Sequence, residues 1–558
     1  MEYTGDYLTG FEILENQYNY FPNLKILKVK AQELCRIPIE TIELPQLEYL
    51  EIIGDGNNTL DNHIASIFKL RNLKTLDLSY NKLQSIPQEI GNLLSLENLI
   101  LCDNNLKSIP KEVGNLKQLK ELKLNSNEIN SIPEEIGNLL NLKKLDLHNN
   151  ALQNLSNKIC NLIHLEELDL YGNNLTSIPE NIGDLVNLIK LDLGCNSLEE
   201  LPNKIAKLIN LENLNLSVNK FKNIPKEIWY LKKLVYLDLS YNEFKNIPYN
   251  INNLVNLNKL NVNDNQLESI SKGIGNLINL KILNISQNKL KEIPNEIGKI
   301  INLEELNLYS NELINIPKEI GNLKKLTFLD LHRNMLQFIP KEIGNLINLD
   351  YLNLNCNKIQ EIPKEIGNLK KLTFLDLLDN NLEKLPDEIG NLLNLEILNL
   401  DEKFSISQYL IEGRRFIKDL DLSNKYLVNI PHDIFELKHL KELDISNNKI
   451  THLSLCLSRL KSLKKLKMHD NNIEVLPDFI WKLPELEQIS ISVRNDTKIY
   501  DKKQIINAKR TLSYVRLQVL FRYINSWKNK IPMTNTQIDQ IREKTHEPYK
   551  VYYSLLHF

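Results

Sequence analysis

Cysteine is scarce in this chain of 558 residues, and the six present, Cys35, Cys102, Cys160, Cys195, Cys356 and Cys456, are scattered singly with no CxxC pair. That excludes the cysteine-rich flanking modules that cap many secreted repeat proteins, and the thiols read as free. No uninterrupted apolar run approaches the roughly 20 residues that span a bilayer. The opening Met-Glu-Tyr-Thr-Gly-Asp-Tyr has neither a basic n-region nor an apolar h-region. The expectation is a soluble, cytoplasmic protein in a reducing compartment.

Catalytic signatures are missing too. The chain has no GxxxxGK[ST] phosphate loop, no HExxH zinc pair, no GxSxG elbow and no kinase signature. Its ten histidines are dispersed, and His148, His332 and His469 share one register position in widely separated repeats, too far apart to hold one metal. No cysteine follows Cys456, so a repeat-plus-ligase arrangement with a catalytic cysteine after the repeats is also excluded. No enzyme activity, metal or cofactor is expected.

Charge is balanced overall, 68 Lys+Arg against 71 Asp+Glu, and a net charge of -3 argues against a wholesale polyanion binder. The balance is uneven along the chain. Residues 490–558 hold 13 Lys+Arg against 5 Asp+Glu, which leaves the remainder at -11.

What is abundant is repetition. An asparagine stands at every twenty-third residue from Asn81 through Asn104, Asn127 and Asn150 to Asn380, each inside the unit LxxLxLxxNxLxxIPxEIGNLxN. Leu76 and Leu78 alternate with polar residues as in a short strand with one buried face. Such a strand is stable only when copies stack in parallel and bury their leucines in one continuous core. The asparagine carries two donors and an acceptor, enough to satisfy backbone groups where the chain leaves the strand. Pro87 fixes φ at the start of the returning limb, and Glu-Ile-Gly-Asn-Leu gives a short helical turn that sends Ile90 and Leu93 back inside.

On these residues the unit resembles a leucine-rich repeat, and its 23-residue IPxEIGNL form is similar to the Ras-group proteins Ras suppressor, Scribble and Erbin. The resemblance implies an α/β leucine-rich-repeat solenoid, a horseshoe with a parallel concave β-sheet and a thin convex side, here with a helical C-terminal cap. It also implies a protein-protein interaction scaffold or adaptor, with a small GTPase pathway component or a phosphatase as partner. Counting first leucines gives 21 copies over residues 24–491, from Leu24 to Leu486, with Ile417 in one copy. Residues 1–23 are expected to form an N-terminal cap and residues 492–558 a basic helical segment. The array is irregular over 47–72, where the spacing is 26 and Gly54 opens a turn-rich stretch, and over 395–416, where it is 22 and the asparagine position holds Lys403 and then Lys425.

Two outward columns carry the candidate site. The residue between the inward leucines is mostly acid or amide, as in Asp146, Asp169, Asp192, Asp330, Asn353 and Asp376. That stripe either solvates an open strand surface or attracts a basic partner. Two residues earlier the column runs Glu305, Phe328, Tyr351, Phe374, Ile397, with Tyr309, His332 and Leu378 in the next outward column. A contiguous aromatic patch with polar neighbours has the form of a binding hot spot, although cross-strand aromatic ladders also stabilise sheets. The expected partner-binding residues are Tyr309, Phe328, His332, Tyr351, Phe374, Leu378 and Ile397, across the repeats from Leu303 to Leu400. Past Ile491 the repeat stops. From Asp501, an N-cap, Lys502–Trp527 reads as a helix with Ile505, Ala508, Leu512, Val515, Val519 and Ile524 on one face, and 536–545 as a second. The basic segment either caps the last repeat or, in an effector or pathogen-recognition module, engages membrane or nucleic acid.

Overall fold

A computed structural model describes residues 3–5, 24–30, 46–54, 64–401, 418–431, 434–435, 437–473, 476–477, 479–480, 483–493 and 496–500. The chain divides into two compact units, Met1–Leu303 and Glu304–Phe558.

In both units one strand opens every repeat, two residues after its first leucine. The first unit holds twelve such strands, from Ile26–Lys30 to Ile282–Asn284. They pair in parallel in a register that advances by one repeat per rung, as in Leu145 opposite Leu168 opposite Leu191. The second unit begins with five, from Glu305–Asn307 to Ile397–Asn399, in the same register. Its second sheet has four more, from Asp419–Asp421 to Gln488–Val493.

The core follows from the leucine spacing. In the repeat that starts at Leu326, the side chains of Leu326, Leu329, Leu331, Leu336, Ile339, Ile343 and Leu346 are all buried. Burying each such side chain stabilises the fold by about 1.5–3 kcal/mol relative to leaving it in water. The return limb is as thin as 23 residues demand. Pro340 in an extended conformation leads into the 3-10 turn Lys341–Asn345, closed by Leu346 donating its N–H to the Ile343 carbonyl. Among the described residues every helical segment is such a short turn.

The repeated asparagine links each rung to the one before. Asn334 Nδ2 donates to the carbonyls of Leu331 and His332 in its own repeat and of Leu308 in the preceding one, at 3.0, 3.3 and 3.0 Å. Its Oδ1 accepts the Leu313 N–H at 3.1 Å. Amide donors that would otherwise be buried unpaired are thus satisfied once per layer. The residue before each asparagine is left-handed, including Ser126, Val218, Tyr241 and Arg333, with Gly172 as a glycine in that place.

The ends and the irregular repeat depart from the regular array. Residues 1–23 contribute a strand, Tyr3–Gly5, that extends the parallel sheet by pairing with Ile26–Lys30. At the other end the sheet does not stop at Ile491. Asp496–Tyr500 folds back antiparallel on Gln488–Val493, with Ile489 opposite Tyr500. A hairpin needs only alternation and a short turn, and it leaves no mark at the repeat period. The expected helices over 502–527 and 536–545, and with them the helical cap, lie outside the described residues, as does Lys403. At the irregular repeat the pairing of the five-stranded run ends with Ile397–Asn399, and Leu398 and Leu400 are half-buried where Leu375 and Leu377 of the preceding repeat are buried. Lys425 donates its N–H to Asn448 Oδ1.

Candidate functional site

Outward positions of a strand recur every second residue, so each repeat offers three columns on the open face of its sheet. The middle column closes the strand. Asp77 Oδ1 accepts the Ser79 N–H at 3.0 Å, Asp169 the Tyr171 N–H at 3.1 Å, and Asn353 the Asn355 N–H at 3.1 Å. These are side chains folded onto their own backbone two residues on, which is why Asp and Asn both serve there.

The first outward column in the second unit stacks as the spacing implies. Phe328, Tyr351, Phe374 and Ile397 face one another in register. The Phe328 and Tyr351 rings lie 4.5 Å apart at 11°, and the Tyr351 and Phe374 rings 4.4 Å apart at 6°. Tyr309 and His332 stack at 4.6 Å and 2° in the third column. Leu378 shares that column but is parted from His332 by the Asn355 rung. The rings are half-buried rather than freely exposed. At a rung spacing of about 4.8 Å each ring covers the face of the next and leaves its edge open. The same burial pushes the Tyr351 phenol above its ordinary range.

The first unit treats its face differently. Lys144 pairs with Glu167 at 2.8 Å, Lys190 with Asp169 at 3.2 Å and Lys123 with Glu121 at 3.0 Å. Asp146, Asp169 and Asp192 occupy three successive rungs, and burial followed by the charge of Asp169 pushes the Asp192 carboxyl up. Here one group has metal-ligating geometry among the described residues, with donor atoms of Asp146, His148 and Asp169 within 4.8 Å of one another. Each donor already has a protein contact: His148 Nδ1 lies 2.7 Å from Asp146 Oδ1, and Asp169 holds Lys190. The thiols of Cys160 and Cys102 are poor nucleophiles, since burial pushes them up to about 11 and about 12.

One surface escaped the sequence reading. The residue after the last leucine of the return limb is aliphatic in most repeats of the first unit: Leu94, Leu140, Ile163, Val186, Ile209, Val255, Ile278 and Ile301, each between 44% and 61% exposed. The asparagine after it forms a second ladder, as where Asn187 Nδ2 donates to the Ile163 carbonyl at 2.8 Å. In the second unit the aliphatic column alternates with lysine, Lys324, Ile347, Lys370, Leu393. Lys324 Nζ donates to the Asn345 carbonyl there. The signal lies in the final LxN of the repeat, whose middle residue is aliphatic. The basic C-terminal segment lies outside the described residues.

The family profile described as "Leucine-rich repeat region" matches residues 19–157, 148–234, 263–349 and 330–413. A further "Leucine rich repeat" profile matches 417–473. No curated protein sequence matches. Among solved structures, a leucine-rich-repeat protein of Leptospira interrogans is 38% identical over 76% of this chain and 95% of that one, with a TM-score of 0.56. A TDR receptor is 27% identical over 84% of each chain, with a TM-score of 0.62. The Arabidopsis receptor kinase HAESA, in complex with the peptide hormone IDA and the co-receptor SERK1, is 27% identical over 84% of this chain and 82% of that one, at 0.56.

Proposed function

Because the chain belongs to the leucine-rich repeat family, we propose that it is a non-catalytic interaction scaffold that binds a protein partner on the outward sheet face of its second unit, across the strands from Glu305 to Asn399. The observation that carries this reading is the stacked column Phe328, Tyr351, Phe374. Three rings held rigid by one another offer apolar edge area at little entropic cost on binding, which is what a hot spot requires. Tyr309, His332, Leu378 and Ile397 border the column. The structure of HAESA with a peptide hormone supports a polypeptide as the bound class.

The finer reading is of a cytoplasmic signalling adaptor whose partner is a small GTPase pathway component or a phosphatase. Its support is the similarity of the IPxEIGNL unit to the Ras-group repeats. Affinity capture from native lysate tests the site. The intact protein is compared with a variant carrying Phe328→Ala, Tyr351→Ala and Phe374→Ala. The variant should fold normally and lose the partner. Capture of the same partners at undiminished affinity moves the binding surface elsewhere.

A further inference from the structure

The ring column is one wall of a trough with a charged floor. Phe328 and Asp330 on one strand and His332 just beyond it stand side by side on the outward face, and Phe374, Asp376 and Leu378 repeat the pattern two rungs on. The second wall is the third column, where Tyr309 stacks on His332 and Leu378 lies beyond. Between the walls Asp330 and Asp376 are only 6% and 8% exposed.

Neither carboxylate is there for the turn alone. Asp330 and Asp376 accept the N–H two residues on, from His332 and Leu378 at 3.1 and 3.0 Å. Asn307 and Asn353 accept the equivalent bond, both at 3.1 Å, with no charge. Asp330 Oδ1 lies 2.6 Å from His332 Nδ1, and Asp376 Oδ2 accepts from Asn399 Nδ2 at 2.9 Å. Among the described residues no lysine or arginine pairs with either carboxylate. Nor does a lysine or arginine hold any outward position on the strands from Glu305 to Asp444. A carboxylate recessed among rings without a cation is costly to the fold, a cost that Lys190 relieves at Asp169 in the first unit.

Resting on the docking reading above, we propose that this trough binds an extended polypeptide segment that inserts two arginine side chains, one to Asp330 and one to Asp376. A guanidinium is thin, weakly hydrated and planar, so it can pass between ring walls, stack on them and reach a recessed carboxylate with two N–H donors. A more strongly hydrated ammonium loses more on entering. The two carboxylates are separated by two rungs of about 4.8 Å, close to 10 Å. Three residues of a polyproline II segment, at about 3.1 Å each, cover nearly the same distance and return the side chain to the same face. The arginines therefore stand at i and i+3, with an apolar residue between them over Tyr351. The same face repels a nucleic acid or an anionic lipid surface.

The test uses the full chain and four ten-residue peptides that share an apolar centre and carry Arg, Lys, Gln or Glu at positions 4 and 7. The Arg peptide should bind saturably, the Lys peptide more weakly, and the Gln and Glu peptides negligibly. Binding of the Arg peptide should fall about tenfold or more in the variant Asp330→Asn with Asp376→Asn and should weaken with added salt. That variant keeps the turn acceptors, and an unchanged melting transition confirms its fold. The proposal is overturned if the Arg peptide fails to bind the intact protein at about 1 mM, a weak but measurable affinity. It is also overturned if the Gln peptide binds as well, or if the double Asn variant binds the Arg peptide undiminished. The two readings separate in the lysate experiment. A partner lost by the triple Ala variant but retained by the double Asn variant upholds the docking site and removes the arginine requirement.

Discussion

In the first unit the middle outward column places Asp146, Asp169 and Asp192 on three successive rungs, while in the second the same column alternates as Asp330, Asn353, Asp376, Asn399. The first stretch answers its charge from within: Lys190 reaches Asp169, and Lys144 and Lys123 pair with neighbouring glutamates. The second dilutes its charge with amides, as where Asn399 donates to Asp376, and spends the neighbouring column on rings. One backbone therefore carries a self-neutralised face and a face with charge and ring edges left over. The difference arises only at positions that the core does not constrain.

The comparison assumes that the cores beneath the two faces are equivalent, and that is where the largest effects should lie. Leu168 and Leu329 are both fully buried, and Ala at either should cost about 2–5 kcal/mol of stability through the cavity left behind. Denaturant melts of the two variants check this; a cost confined to one unit would break the equivalence. The asparagine ladder should come next. Asn219 donates to the carbonyls of Leu193, Leu216 and Ser217 and accepts from the Leu198 N–H. Asn219→Ala should therefore cost about 1–3 kcal/mol, and Asn334→Ala the same in the other unit.

On the ring face itself, stability and binding should part. Phe328→Ala should lose about 0.2–1 kcal/mol per stacked pair in stability, and about 1–3 kcal/mol in partner binding by titration calorimetry. A loss of stability as large as that of Leu329→Ala would make the column structural. A gain is expected at Val218, a β-branched residue held at φ 54°. Val218→Asn should stabilise the first unit by about 1 kcal/mol, because asparagine tolerates the left-handed region.

The smallest effect tests the charge contrast directly. The Asp192 carboxyl is raised in the folded state by burial and by Asp169. The folded protein thus holds that proton more tightly than the unfolded chain does, and ionising Asp192 costs stability as pH rises through the carboxylate range. Asp192→Asn should therefore stabilise the first unit at pH 7 by less than about 1 kcal/mol, the group being partly solvated. The gain should vanish below the ordinary aspartate value of about 3.9. Melting temperatures of the two proteins across pH 3–8 decide it, and a gain that grows toward acid pH has the wrong sign.

The outward columns were only half legible in the sequence. Phe328, Tyr351 and Phe374 could be found because they share a register position 23 residues apart. Their half-burial could not, because a ring is covered by a neighbour from the next repeat at a distance set by sheet pairing. The aliphatic column from Leu140 to Ile209 was overlooked since each member, taken within its own repeat, is one more apolar residue beside a leucine. The left-handed position before each asparagine is only partly signalled, since Asp103, Asn149 and Gly172 favour that region while Val218, Tyr241 and Arg333 do not. The fold imposes that turn regardless of the side chain.

The sequence by itself determined the repeat, its 21 strands and the asparagine that joins each rung to the last. Those follow from alternation, from the amide's donors and acceptor, and from a length too short for a full helix. The antiparallel strand Asp496–Tyr500 and the recessed carboxylates beside the ring column were decided by the tertiary structure. Each depends on which surfaces a rung shares with its neighbours, and in a stack those neighbours are about a repeat away in the chain and one strand spacing away in space.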